Sequence, residues 1–69
     1  MSAMQIRVNG EQREIETRMS VADLLTQMEL DPSYLAVERN LELVPRTLHA
    51  ETVLAAGDRL EVVTLVGGG

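Results

Sequence analysis

The chain has 69 residues, which allows one small domain, and its 45% hydrophobic and 25% charged residues are typical of a folded globular protein. The net charge of -5 disfavours a nucleic-acid ligand, because phosphate backbones carry the same sign. Cysteine is absent, which excludes disulfides and thiolate chemistry and suits a reducing cytoplasm, where we expect the protein. No apolar run approaches the roughly 20 residues that span a bilayer, so we expect no membrane partner.

The first predicted element is a β-hairpin. Residues 4–8 alternate apolar with polar side chains, and residues 14–16 alternate again. Between them, Asn9-Gly10 offers the positive φ angles that a tight hairpin turn requires. Because the residues before Met4 carry no pattern, we expect the domain to begin there.

A single amphipathic helix is predicted next. Ser20 precedes Asp23 by three positions, a relative of the hydrogen-bonded box that caps a helix N-terminus. Apolar residues then recur at the i, i+3, i+4 and i+7 spacing of one helix face: Val21, Leu24, Leu25 and Met28. The pattern ends near Asp31-Pro32, and we interpret the apolar stripe as a face that packs on a sheet.

The second half of the chain is rich in strand patterns. Residues 35–38 predict a strand, and residues 43–44 predict a short one that Pro45 stops, which indicates a sheet edge or a strand end. The longest strand candidate, residues 59–66, is apolar on both faces over part of its length and is therefore expected near the sheet centre. A turn is predicted to begin at Asn40, a helical turn is predicted over residues 47–50, and a further turn over residues 56–58.

Together these elements predict an α+β fold of order ββαββ, in which a mixed sheet packs on one main helix. We expect one domain over residues 4–66 and a flexible glycine tail over residues 67–69.

No catalytic or metal-binding residue is predicted, and we do not expect an enzyme. His49 is the one histidine, and we expect a surface or partly buried ring without a catalytic role. Seven glutamates mostly alternate with apolar strand residues, which is typical of a solvated sheet face: Glu11, Glu14, Glu16, Glu38, Glu42, Glu51 and Glu61.

The chain ends in Gly67, Gly68 and Gly69, directly after the last predicted strand. A segment without Cβ atoms can thread a narrow channel, and a free end beyond Val66 is expected to be mobile. The Gly69 carboxylate can then attack the α-phosphate of ATP in another enzyme's active site, which gives an acyl-adenylate open to sulfur or nitrogen nucleophiles. Taken alone, three terminal glycines are equally consistent with a frayed end.

Two stretches give the chain a family resemblance: residues 36–40 leading to 43–46, and residues 56–63 running to 66–69. Over residues 4–69 the chain resembles the thiamine-biosynthesis sulfur carriers, the ThiS family, which have the ubiquitin-like β-grasp fold.

The resemblance implies a carrier that is consumed and regenerated. A ubiquitin-activating-type adenylyltransferase would use MgATP on the carboxylate of Gly69, with Gly67 and Gly68 in the channel of that enzyme. A sulfur donor protein would supply sulfur for a thiocarboxylate, and thiazole synthase would accept it. The carrier itself would bind no cofactor. Because Leu65 and Val66 immediately precede the tail, we expect the adenylating enzyme to dock there.

Two positions depart from the family pattern. Asn40-Leu41 stands where the family often has Asn-Gly in the turn after the third strand, and His49 stands where an aromatic residue is common. The departures put the local turn geometry and a packing contact in question, but not the chemistry of the tail.

Three alternatives remain open at this point. The small subunit of molybdopterin synthase is similar in fold and ends in Gly-Gly, but it gives its sulfur to a pterin precursor. A ubiquitin-like modifier would join Gly69 to an amine; the absence of lysine excludes lysine-linked chains of this protein but not single attachments. A plain interaction module with an inert tail is disfavoured by the acidic charge.

Overall fold

The computed structural model describes residues 2–65. One main helix, α1 (Val21–Gln27), follows a hairpin and precedes three further strands. The strands are β1 (Ala3–Val8), β2 (Glu11–Glu16), β3 (Leu35–Arg39), β4 (Glu42–Val44) and β5 (Arg59–Thr64), and short 3-10 turns occupy Pro32–Tyr34 and Arg46–Leu48.

The five strands form one mixed sheet in the order β2-β1-β5-β3-β4. β1 and β5 run parallel, whereas the pairs β1 with β2, β3 with β4 and β3 with β5 are antiparallel. The predicted α+β class and mixed sheet are confirmed, as are the central place of the last strand and the edge position of the strand before Pro45. The order was predicted as ββαββ, which does not count the short strand predicted at residues 43–44; that strand is present as β4 and pairs with β3, so the observed order is ββαβββ.

Both hairpin turns use left-handed backbone at two successive residues. Asn9 and Gly10 have φ angles of 52° and 84°, and Asn40 and Leu41 have φ angles of 51° and 72°. Two positive φ angles in a row are typical of the tight turn whose twist matches that of paired strands. The turn between β3 and β4 therefore has this geometry without a glycine. As a result, Leu41 adopts a left-handed backbone conformation that is strained for a residue with a side chain.

The helix covers the inner face of the sheet. Ser20 and Asp23 form the predicted capping box, since the Ser20 Oγ accepts the Asp23 N–H and the Asp23 carboxylate accepts the Ser20 N–H, each at 3.0 Å. The α-helix ends at Gln27, earlier than predicted, and Glu29 adopts a φ of 60°. The buried core is entirely aliphatic: Ile6, Val8, Ile15, Val21, Leu24, Leu25, Val37, Leu54 and Leu60.

His49 is more buried than predicted, with 5% of its surface exposed. Its Nε2 lies 3.1 Å from the carbonyl oxygen of Val44 and donates to it. The His49 carbonyl in turn accepts the N–H of Ala22 at 3.0 Å, close to the start of α1. The imidazole ring is therefore packed in the protein interior after β4. Its hydrogen bond to the Val44 carbonyl gives the buried nitrogen a partner.

Within residues 2–65, no helix is both long and apolar enough to cross a membrane. The same part of the chain contains no group of three His, Asp or Glu side chains arranged to hold a metal ion.

Candidate functional site at the root of the C-terminal tail

The candidate site is the end of β5, where the sheet delivers the chain to the tail. The strand ends at Thr64, two residues earlier than predicted, but the ladder with β3 continues beyond it. The N–H of Leu65 donates to the carbonyl oxygen of Tyr34 at 2.7 Å, in line with the register pair Leu35 and Thr64. The last described residue is therefore still attached to the sheet.

Tyr34 is itself held by local structure. It closes the 3-10 turn Pro32–Tyr34, whose start is capped by the Asp31 carboxylate accepting the N–H of Ser33 at 2.8 Å. The proline at the first position of this turn matches its fixed φ. A rigid turn thus presents the carbonyl that ends the ladder.

Asn9 holds the other side of β5. The register between β1 and β5 stops at Val8 and Leu60, because the chain turns away at Asn9 and Gly10. The side-chain amide of Asn9 then takes the place of a strand: its Oδ1 accepts the Val62 N–H at 2.7 Å, and its Nδ2 donates to the Val62 carbonyl at 3.3 Å. The N–H and carbonyl of Val62 thereby have hydrogen-bond partners although β1 has already ended.

An apolar surface lies beside the root of the tail on the outer face of the sheet. Because successive strand residues face opposite sides, buried Leu60 faces α1 whereas Val63 faces out. Val63 is 53% exposed, Leu65 51% and Leu43 65%. We call the outer-face residues Ala36, Leu43, Val63 and Leu65 the tail-end patch; Ala36 and Val63 are register partners.

The tail-end patch is bordered by acidic residues. Glu38 and Glu61 are register partners on β3 and β5, and both are exposed. All seven glutamates that were predicted to be solvated are exposed in the structure. An apolar patch with a charged rim has the composition of a protein-interaction surface.

Asp58 anchors the other end of β5. Burial by itself raises the pKa of this carboxyl, but hydrogen bonds from the Ala55 N–H at 2.8 Å, the Asn40 side chain at 3.0 Å and the Arg39 Nε at 2.7 Å outweigh it. With the charge of Arg39 added, the pKa of Asp58 lies below its ordinary value. The start of β5 is therefore fixed by an ionised carboxylate.

Of the predicted site residues, the structure describes Leu65 alone. Val66, Gly67, Gly68 and Gly69 lie outside the described residues, so their predicted roles stay predictions. Sequence reasoning missed Asn9 and Tyr34 as supports of the site. The Asn-Gly pair marked a turn, but nothing local indicated that its amide would reach a strand 53 positions later.

Comparison with known proteins agrees with this architecture. The sequence matches the profile described as "ThiS family" over residues 6–69. The crystal structure of a thiamine biosynthesis protein (ThiS) from Geobacter metallireducens superposes with a TM-score of 0.84 at 29% identity and covers 96% of this chain and 100% of the other. The ubiquitin-like β-grasp fold expected from the sequence is thereby confirmed.

Two sequence relatives extend the comparison. The chain is 42% identical to a thiazole synthase of Paramagnetospirillum magneticum over 96% of its own length but only 20% of the relative's. It is 40% identical to the ycf40 protein of Pyropia yezoensis, over 99% of this chain and 96% of that one. The chain thus spans about a fifth of the length of the thiazole synthase that it matches. With its fold, its sequence profile and its relatives in agreement, the chain belongs to the ThiS family.

Proposed function

We propose that this protein carries sulfur on its C-terminus for thiazole formation in thiamine biosynthesis. The observation that carries the proposal is the path of β5, a central strand whose backbone is held by Asn9 on one side and by β3 and Tyr34 on the other. That strand leads toward three terminal glycines. A firmly held root followed by residues without side chains suits the insertion of a carboxylate into a partner's active site.

The proposed chemistry proceeds in two balanced stages. A carboxylate oxygen of Gly69 attacks the α-phosphate of ATP, the phosphoanhydride bond breaks, and pyrophosphate leaves with the electron pair. Sulfur from a donor protein then displaces AMP from the acyl-adenylate, and sulfide gives the thiocarboxylate directly. A donor persulfide instead gives an acyl disulfide; a thiol then attacks the donor's sulfur and forms a disulfide with it, while the S–S bond to the carrier breaks and the thiocarboxylate leaves with the electron pair. The product is a thiocarboxylate, and this chain supplies the acyl group whereas the partner supplies MgATP and catalysis.

Docking to the adenylating enzyme is assigned to the tail-end patch together with Val66. Leu65 ends the described chain, and Val63 lies two residues before it on the same outer face, so an enzyme that takes in the tail must approach this surface. Burying two half-exposed aliphatic side chains on binding would contribute about 1.5–3 kcal/mol in total.

Thiazole synthase is the proposed sulfur acceptor. Support comes from the relatives named thiazole synthase, in which a segment similar to this whole chain belongs to the same polypeptide. Two activities joined in one chain are held at high effective concentration, an arrangement that favours transfer between them.

Intact-mass measurement tests the proposal. The chain is incubated with MgATP, a ubiquitin-activating-type adenylyltransferase and a sulfide source, beside a variant that lacks Gly69. We expect the full chain to gain the mass difference between sulfur and oxygen, and the shortened chain to gain nothing. An unchanged mass, with an enzyme shown to be active on its own carrier, would contradict the proposal.

A further inference from the structure

A second feature of the outer sheet face is a cleft of about 500 Å³ between the first hairpin and the start of β5. Its polar walls include two arginines, two glutamines, two glycines and one glutamate: Arg7, Arg59, Gln5, Gln12, Gly10, Gly57 and Glu61. A Cβ built on either glycine would meet no atom within 4 Å, so the cleft is bounded there by bare backbone with open space before it.

Arg7 and Arg59 are register partners on the parallel strands β1 and β5, and both are exposed. The Nη1 of Arg7 donates a 3.4 Å hydrogen bond to the carbonyl of Gly10. Within residues 2–65 the one ion pair joins Arg39 to Asp58, so neither cleft arginine is paired with a carboxylate there. Like charges at directly opposite positions disfavour the isolated sheet, and an anion between them would remove that repulsion.

The two arginines form a basic island on an otherwise acidic face. Alternation along the strands places four glutamates on the outer side: Glu14, Glu16, Glu38 and Glu61, of which Glu61 also lines the cleft without forming an ion pair with either arginine. A cation pair in such surroundings offers a binding partner one position at which an acidic side chain is favoured, which sets the orientation of the complex.

The cleft also lies within reach of a protein docked at the tail. Arg59 begins β5 and Leu65 directly follows its last residue, and six residues of extended chain span about 20 Å. A typical interface of about 800 Å² on each partner is about 30 Å across. One partner can therefore cover the tail-end patch and the cleft together.

We propose that this cleft receives a carboxylate side chain of the adenylating enzyme, with the guanidinium groups of Arg7 and Arg59 as its ligands. This inference rests on the proposed function. A planar guanidinium donates two parallel hydrogen bonds to a carboxylate, and Gln5 and Gln12 add polar groups to the same cleft. The net charge of -5 repels free polyanions at long range, which favours an acidic residue delivered by a docked protein.

The test compares adenylation of the wild type with that of the double variant Arg7→Gln/Arg59→Gln, measured as pyrophosphate release at several salt concentrations. We expect kcat/KM to fall about tenfold or more, with kcat nearly unchanged and a weaker salt dependence. Arg18→Gln/Arg46→Gln is the matched control, because both arginines are exposed and lie outside the cleft, and the pair of substitutions removes the same two positive charges. We expect the control to stay within about twofold of the wild type.

Thermal unfolding of each variant excludes a folding defect, and removal of the like-charge pair should leave the midpoint equal or higher. Equal kcat/KM for the double variant and the wild type would overturn the cleft inference alone, whereas a wild type that is never adenylated would overturn the proposed function. Titration of the free wild type and of the double variant with inorganic phosphate, followed by NMR, tests whether the cleft binds a free anion. Saturable phosphate binding that the double variant loses would assign the cleft to a free anion and overturn the proposal.

Discussion

The amide of Leu65 donates to the carbonyl of Tyr34 at 2.7 Å, and this hydrogen bond extends the ladder between β5 and β3 one residue past the end of the strand. It fixes the chain up to the residue before Val66. A reactive group on a short tether gains effective concentration when the root of the tether is immobile, because fewer orientations must be lost on entering a partner's site. The structure thus locates the root of the tail on the central strand of the sheet, which is paired on both sides.

The first prediction concerns Asn9, whose amide pairs with the backbone of Val62. Substitution Asn9→Gly removes the amide but keeps the positive φ of 52° without strain. We expect the free energy of unfolding to fall by about 1–2 kcal/mol, measured by urea denaturation, because the Val62 N–H loses its acceptor. The free energy of unfolding of Asn9→Asp should lie between those of the wild type and Asn9→Gly, because aspartate keeps the hydrogen-bond acceptor for the Val62 N–H but lacks the donor. A glycine variant as stable as the wild type would show that the amide contributes nothing.

The second prediction concerns pH and Asp58. Its pKa in the folded chain lies below the ordinary value of 3.8, so the folded state binds fewer protons than the unfolded state around and below that pH. The stabilisation is therefore fully present above about pH 4 to 5 and is lost as the pH falls through the lowered folded-state pKa. We expect Asp58→Asn to destabilise the protein by about 2 kcal/mol at pH 7 and by less at pH 2.

Urea denaturation at both pH values measures this difference. Glu51→Gln is the control, because Glu51 is exposed and lies outside the sheet, so its substitution should leave stability nearly unchanged at either pH. A destabilisation by Asp58→Asn that is the same at pH 2 and pH 7 would show that the loss arises from packing rather than from charge.

The third prediction concerns Leu41, which has a φ of 72° and is 86% exposed. Leucine in the left-handed region costs about 1–2 kcal/mol, whereas glycine adopts it freely but loses more entropy on folding. We expect Leu41→Gly to raise the free energy of unfolding by about 0.5–1 kcal/mol. Leu43→Gly, two residues later within β4, should instead lower it, because a strand residue loses its packing and its β propensity.

Much of this fold was predictable from local patterns. The alternation before Asn9, the helical spacing after Ser20 and the stop at Pro45 each express a rule that acts over a few residues. Pairings between distant segments had no such signal. The burial of His49 depends on the path of the chain after β4, and the pairing of Arg7 with Arg59 depends on the parallel register of the first and last strands.

In the candidate site, too, features set by neighbouring residues were predictable and features set by distant segments were not. The strand before the glycines was predictable because its apolar residues are contiguous in sequence, and Leu65 was predicted as a docking residue because it immediately precedes the tail. The tail-end patch was only partly predictable, since Leu43 and Ala36 join it through neighbouring strands. A surface that several strands build requires the order of the sheet, which periodicity alone does not determine.

The last prediction tests the tail-end patch with a pair of matched substitutions. Val63 and Val53 are exposed to nearly the same degree, 53% and 52%, but Val63 lies in the tail-end patch whereas Val53 bridges to Ser20 beside the helix. We expect Val63→Asp to lower kcat/KM for adenylation by about tenfold or more, because a carboxylate in the interface is desolvated without a partner.

Val53→Asp should leave kcat/KM within about twofold of the wild type, and circular dichroism of both variants establishes that they are folded. Because the two substitutions add the same charge, a nonspecific effect of net charge would lower both rates equally. Equal rates for the two variants would therefore contradict docking at the tail-end patch. A selective loss in the Val63 variant, with thiocarboxylate still formed at high enzyme concentration, would identify the patch as a binding surface distinct from the chemistry of Gly69.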